Sequence, residues 1–166
     1  MAAGKIIAII GGILGILTIG LYFVLPEIFC LWRLDGAPFL SIFLGGFGSA
    51  TGEALGVGYG PEYYEDIMLL IICVLIVAGG ALAIIGGLIE NKMIGILGGV
   101  LMIVGPILLI VALFIEYGDF EAIASLLGGK SLFFGSEPGV DWGLWIGFYL
   151  AIGGGVLGLI GGATID

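Results

Sequence analysis

Few residues in this chain have types and spacing suited to chemistry. In "PEYYED", the carboxylates of Glu62, Glu65 and Asp66 lie close together and offer the kind of oxygen that holds Ca²⁺. Their spacing matches no EF-hand loop, so a solvated acidic rim without bound metal is expected. Cys30 and Cys73 are too few for a disulfide framework and are not spaced as a metal motif. Cys73 falls about two turns beyond Asp66, inside an apolar run, so a bridge to Cys30 needs deep penetration by the intervening loop. Both are expected to remain thiols. Histidine is absent, no serine is paired with a base, and the apolar runs contain no paired carboxylates. The expectation is therefore a protein that is not an enzyme and carries no cofactor.

The elements that hold these residues are set by hydrophobic runs. Of the 166 residues, 61% are hydrophobic and 10% are charged, against about 25% charged in ordinary soluble domains. Four runs, Ile6–Leu25, Ile67–Leu88, Met93–Ile115 and Trp142–Thr164, hold no Asp, Glu, Lys or Arg. Each is about as long as a helix needs to cross a hydrocarbon core of roughly 30 Å, and a helix satisfies its own backbone groups there. The N-terminal run is not read as a signal peptide, because it is long and no small-residue cleavage site follows it. The net charge of −9 leaves no basic surface for nucleic acid. The partners expected are membrane lipid and other membrane subunits or copies of the chain itself.

Charge orients the spans. Lys5 and Lys92 flank the first and third on one side. The connections 26–66 and 116–141 lie on the other and hold all of the 13 acidic residues except Glu90 and Asp166, together with Arg33 and Lys130. The positive-inside rule then gives a multi-pass cell-membrane protein with both termini cytoplasmic and long acidic loops outside.

The chain also repeats itself. "KIIAIIGGIL" at Lys5 returns as "KMIGILGGVL" at Lys92, an offset of 87. "GPEYYEDIML" at Gly60 returns as "GSEPGVDWGL" at Gly135, and "GGALAIIGG" at Gly79 as "GGVLGLIGG" at Gly154, both at an offset of 75. The expected fold class is an all-α integral membrane protein. Residues 1–166 form one four-helix transmembrane domain from a tandem-duplicated two-helix hairpin, repeats 5–90 and 92–166, with partly helical outer loops. Two like-oriented units imply a rotation about an axis along the membrane normal.

Glycine supplies the contact surfaces. Gly11 with Gly15, Gly79 with Ala83 and Gly87, Gly95 with Gly99, and Gly154 with Gly158 and Gly162 are each four apart, on one helix face. Small residues there let helices approach closely. The ladders of the second and fourth spans are expected to pack on each other at the bundle centre. Pro106 interrupts the third span and is a candidate kink or hinge. In the outer loops, short helices are expected near Ile28–Leu34 and Phe39–Leu44, with "SIFLGG" at Ser41 and "SLLGG" at Ser125 as counterparts, and another helix from Asp119 through Leu127. Trp32, Phe39, Phe43, Phe133 and Phe134 are the apolar residues expected to dock a partner.

A duplicated, glycine-rich two-span hairpin resembles the rotor proteolipids of V-type ATPases in helix count and texture. Those proteins carry a proton-binding carboxylate in mid-helix. The corresponding positions here, Val74–Ala78 and Tyr149–Gly153, hold none, so a rotor mechanism has no proton site. Four spans with a larger first outer loop resemble the claudin and tetraspanin plan in gross layout. The claudin signature pairs a Trp with two cysteines in that loop, where this chain has Trp32 and Cys30 alone, and tetraspanins place the large loop last. The expected function is a non-catalytic membrane subunit or scaffold, packing laterally and docking partners through its apolar-acidic outer cap. The alternative is a channel or transporter component for a small neutral solute or a cation.

Overall fold

Gly-Gly doublets at 11–12, 79–80, 86–87, 98–99, 154–155 and 161–162 punctuate four long helices. Consecutive residues on an α-helix point about 100° apart. A doublet therefore gives a helix two small faces nearly at right angles, as a helix at the corner of a square needs. In the computed structural model, which describes residues 2–36, 40–46, 49–54, 57–63 and 67–165, the helices form such a square. They are α1 (Ala2–Tyr22), α3 (Ile67–Leu88), α4 (Lys92–Phe114) and α6 (Ile146–Ala163), all long and apolar enough to cross a membrane. Helix α1 packs on α3 and α6, and α4 packs on the same two.

Each doublet divides its contacts between two neighbours. Gly11 abuts Gly154 and Gly158 of α6, while Gly12 abuts Gly80 and Ile84 of α3. In α4, Gly98 abuts Gly79 and Ala83 of α3, while Gly99 abuts Gly155 and Leu159 of α6. Both sets of contacts interconvert by the offsets 87 and 75 seen in the sequence. The relation extends along the bundle. A Cβ built at Gly80 would lie 2.8 Å from the Gly12 carbonyl oxygen and 3.0 Å from Ile16 Cγ1; one built at Gly155 would lie 3.1 Å from the Gly99 oxygen and 2.6 Å from Ile103 Cγ1.

The ladders of α3 and α6 do not pack mainly on each other, as the four-residue spacing suggested. They lie at opposite corners and approach near Ala83 and Gly158, while their glycines face α4 and α1. Side chains exposed on the outside of the square, among them Ile10, Leu17, Val74, Ile85, Ile107 and Val156, form the surface that lipid would cover.

The connections 26–66 and 116–141 correct the all-α expectation. Among the described residues they hold a short helix α2 (Pro26–Phe29), helix α5 (Asp119–Leu126) and a six-stranded antiparallel sheet. The strands are β1 (Trp32–Gly36), β2 (Leu40–Gly45), β3 (Ser49–Ala54), β4 (Val57–Tyr63), β5 (Phe134–Glu137) and β6 (Val140–Leu144), in the order β4-β3-β2-β1-β6-β5. The Ile28–Leu34 expectation becomes one turn of helix followed by β1. The described part of Phe39–Leu44 is β2. A short continuous apolar run fits a buried strand as well as a helix. Here Ile42 and Leu44 pack toward Trp32, while Phe43 points to the opposite side, against Tyr22 and Cys30. The "SIFLGG"–"SLLGG" equivalence fails for the same reason: the first is strand, and the second begins at the end of α5.

Pairing of β1 with β6 joins the two connections into one sheet, with Trp32 opposite Leu144 and Asp35 opposite Asp141. It also explains why α6 begins at Ile146 and not at Trp142. The first residues of the fourth apolar run are drawn into the ladder, with Gly143 at φ +145. The strand passes directly into the helix: Trp145 N–H donates to the Leu31 carbonyl and Gly147 N–H to the Cys30 carbonyl, each at 3.0 Å.

Candidate functional site

Two regions collect the residues that the sequence singles out. The first is the bundle axis. Met102 of α4 reaches across it and is fully buried. A Cβ at Gly79 would lie 2.8 Å from Met102 Cγ, one at Gly158 would lie 3.0 Å from Cε, and one at Gly15 would collide with Sδ. One flexible thioether thus touches the other three helices and fills the centre. Of the remaining packing residues, Gly87 sits against Lys5 and Ile9, and Gly95 against Gly162. Pro106 is buried within an α4 that runs unbroken from Lys92 to Phe114.

Four-residue spacing mixed the two faces and left out Gly12, Gly80, Gly86, Gly98, Gly155 and Gly161: in α3, Gly79 and Gly86 face α4 while Gly80 and Gly87 face α1, and in α6, Gly154 and Gly161 face α1 while Gly155 and Gly162 face α4. The doublets themselves were the available signal. Thr18 is a fully buried polar side chain in α1, and its hydroxyl donates to the Leu14 carbonyl at 2.8 Å within its own helix.

The second region is the foot of the six-stranded sheet. Alternation along β1 turns Trp32 and Leu34 inward and Arg33 and Asp35 outward. Trp32 is buried, stacks edge-on to Phe120 of α5 at 5.7 Å, and donates Nε1–H to the Leu132 carbonyl at 2.8 Å. Trp142 donates to the neighbouring Ser131 carbonyl at 2.9 Å. These bonds fasten the segment after α5 over the sheet. Phe43 is buried beside Tyr22, whose hydroxyl donates to the Phe43 carbonyl at 2.8 Å and whose ring lies against Gly45 and Gly46. Trp32 and Phe43 are thus buried within the chain. Phe133 is half-buried, Phe134 is 59% exposed, and Phe39 lies outside the described residues.

On the open side of β1 and β6 lies a cleft of about 480 Å³, lined by Arg33, Asp141, Ser136 and the aromatic rings of Phe134, Trp142 and Trp145. The Arg33 guanidinium carbon lies 3.4 Å from the centre of the Trp145 ring, a cation–π stack. Asp35 is 3.9 Å from Arg33. In the sequence Arg33 stands out only in the charge balance and Asp141 only there and in the repeat, because the β1–β6 pairing that joins them spans both connections.

Cys30 is buried at the end of α2, and burial pushes its thiol up to about 12, with the Arg33 charge opposing in part. No disulfide joins it to Cys73. Glu65 and Asp66 of the acidic rim lie outside the described residues. Among the described residues no three His, Cys, Asp or Glu side chains gather as a metal site.

No protein-family model matches the chain, and comparison with curated proteins finds no relative.

Proposed function

We propose that this chain is a non-catalytic subunit or scaffold of a membrane complex, built by tandem duplication of a two-helix hairpin and docking another membrane protein through its outer sheet. The observation that carries this reading is the filled axis. Met102 touches α1, α3 and α6 at one level, and the buried hydroxyl of Thr18 is spent on its own helix. With Met102 across the axis, the described residues leave no open passage through a single bundle at that level. The channel alternative is left with a route between chains.

Duplication is supported by the reuse of one contact set at offsets 87 and 75, and by neighbour relations in which α1 stands to α3 as α4 stands to α6. The docking reading rests on β5, a sheet-edge strand of four residues that presents exposed Phe134. Lys5 and Lys92 at the ends opposite the sheet favour cytoplasmic termini and a cell-membrane address.

The deciding experiment is cross-linking in native membranes, purification in mild detergent, and flux measurement in proteoliposomes. The expected result is a stoichiometric partner cross-linked through Cys introduced at Phe134, and no flux of water, cations or small neutral solutes. Reproducible flux by the purified chain, or recovery of the chain alone after cross-linking, overturns the proposal. For orientation, Cys introduced at Ser136 should react with an impermeant reagent on intact cells, and Cys introduced at Asn91 should not.

A further inference from the structure

The cleft at Arg33 has a chemistry that the scaffold reading leaves unused. Arg33 is the chain's one arginine. Its side chain is only 19% exposed, yet among the described residues no group accepts a hydrogen bond from it. At 3.9 Å its contact with Asp35 is too long for one. Stacking on Trp145 covers a face of the guanidinium and leaves the N–H edge available to the cleft. A guanidinium so held matches the oxygens of a phosphate.

A simple anion does not suit the site. Asp35 and Asp141 stand directly opposite each other on paired strands, where like charges repel, and the local balance is one cation against two carboxylates. A ligand with both an anionic and a cationic end meets no such penalty. Its phosphate faces Arg33 and its ammonium faces Asp141.

The position of the cleft favours a membrane-borne source. Trp145 is the N-cap of α6, so the cleft opens where a spanning helix begins, at the depth of lipid headgroups. Tyr149 and Gly153 continue the Trp145 face at four-residue steps. Tyr149 is 52% exposed, and no atom lies within 4 Å of a Cβ built at Gly153, so the helix face below the cleft is open. We infer that this cleft and the open helix face below it bind one zwitterionic phospholipid, with headgroup phosphate on Arg33, headgroup ammonium on Asp141, and an acyl chain along Tyr149 and Gly153. This goes beyond the scaffold reading and does not depend on a partner.

The test uses the full chain in detergent, with lipid binding followed by native mass spectrometry. The probes are phosphatidylethanolamine, phosphatidylglycerol and soluble phosphoethanolamine. The expected result is one phosphatidylethanolamine per chain, held at least tenfold more tightly than phosphatidylglycerol, with phosphoethanolamine displacing it only weakly. Arg33→Gln should lower phosphatidylethanolamine affinity tenfold or more, and Arg33→Lys should fall between, keeping the charge while losing the planar fork. Asp141→Asn should move the preference toward phosphatidylglycerol. Gly153→Leu, on the outer surface of the bundle, should weaken lipid and leave phosphoethanolamine unchanged. Equal binding of the two lipids by the unsubstituted chain, or undiminished binding in a folded Arg33→Gln chain, overturns the inference. Displacement by phosphoethanolamine at equal affinity shows a free zwitterion as the ligand and overturns the lipid assignment.

Discussion

Met102 lies over Gly15 at the bundle axis, and the two occupy corresponding places in the two hairpins, 87 residues apart. The axis accepts one large side chain. Two glycines would leave a void, and two methionines would overfill it. The hairpins therefore cannot be identical at this level.

A reciprocal exchange tests that relation. Met102→Gly alone should cost about 2–5 kcal/mol, the range for emptying a buried site of this size. Gly15→Met alone should be at least as damaging through overpacking. Combining the two moves the thioether to the other side of the axis and should recover much of the loss. Thermal midpoints in one detergent report the three variants. A double variant no more stable than the worse single one would refute the symmetric packing.

Glycines on the two kinds of helix face should respond oppositely to alanine. At Gly99 a methyl would strike Leu159 backbone and the Gly155 carbonyl, so Gly99→Ala should force α4 and α6 apart and lower the thermal midpoint sharply. Its counterpart Gly12→Ala should do the same to α1 and α3. Gly20 and Gly153 meet nothing within 4 Å, so alanine there should be neutral or stabilising, by up to about 1 kcal/mol from helix propensity. Equal effects at Gly99 and Gly153 would rule out the corner-packing account.

The bundle was legible in the sequence because lipid imposes one solution on a long apolar run. Spans Ile67–Leu88 and Met93–Ile115 emerge as α3 and α4 within a residue at each end. The doublets were visible, but their meaning required knowing that each helix has two neighbours at right angles. The sheet was misread because its strands are stabilised by partners distant in the chain. Trp32 meets Leu44 on one side and Leu144 on the other, so neither local period nor local propensity specifies β1. The same remoteness hid the cleft, whose Arg33 and Asp141 come together only through that pairing.

The indole bonds to the 131–132 segment predict a separable cap. Trp32→Phe keeps the ring in the core but leaves the Leu132 carbonyl without its donor, a loss of about 1–3 kcal/mol if no water replaces it. Hydrogen exchange should accelerate across α5 and residues 127–134, with α3 and α4 unchanged. Faster exchange spread through the bundle helices would show instead that cap and bundle unfold as one unit.

Cys30 supplies a test in pH. The buried thiol titrates near 12, where an exposed one titrates near 9.0. Below 9 the thiol is neutral in both the folded and the unfolded chain, so it contributes no pH dependence. Between about 9 and 12 the unfolded chain releases the proton while the folded chain retains it, and stability falls as pH rises. Cys30→Ala should flatten that alkaline loss while leaving the slope between pH 6 and 8 unchanged. In the folded chain Cys30 should also resist maleimide at pH 8, since burial suppresses both the thiolate and access to it. Rapid labelling of Cys30 under native conditions, or an alkaline slope unaltered in Cys30→Ala, would place the α2–β1 junction in solvent and contradict the packing of Tyr22, Cys30 and Phe43.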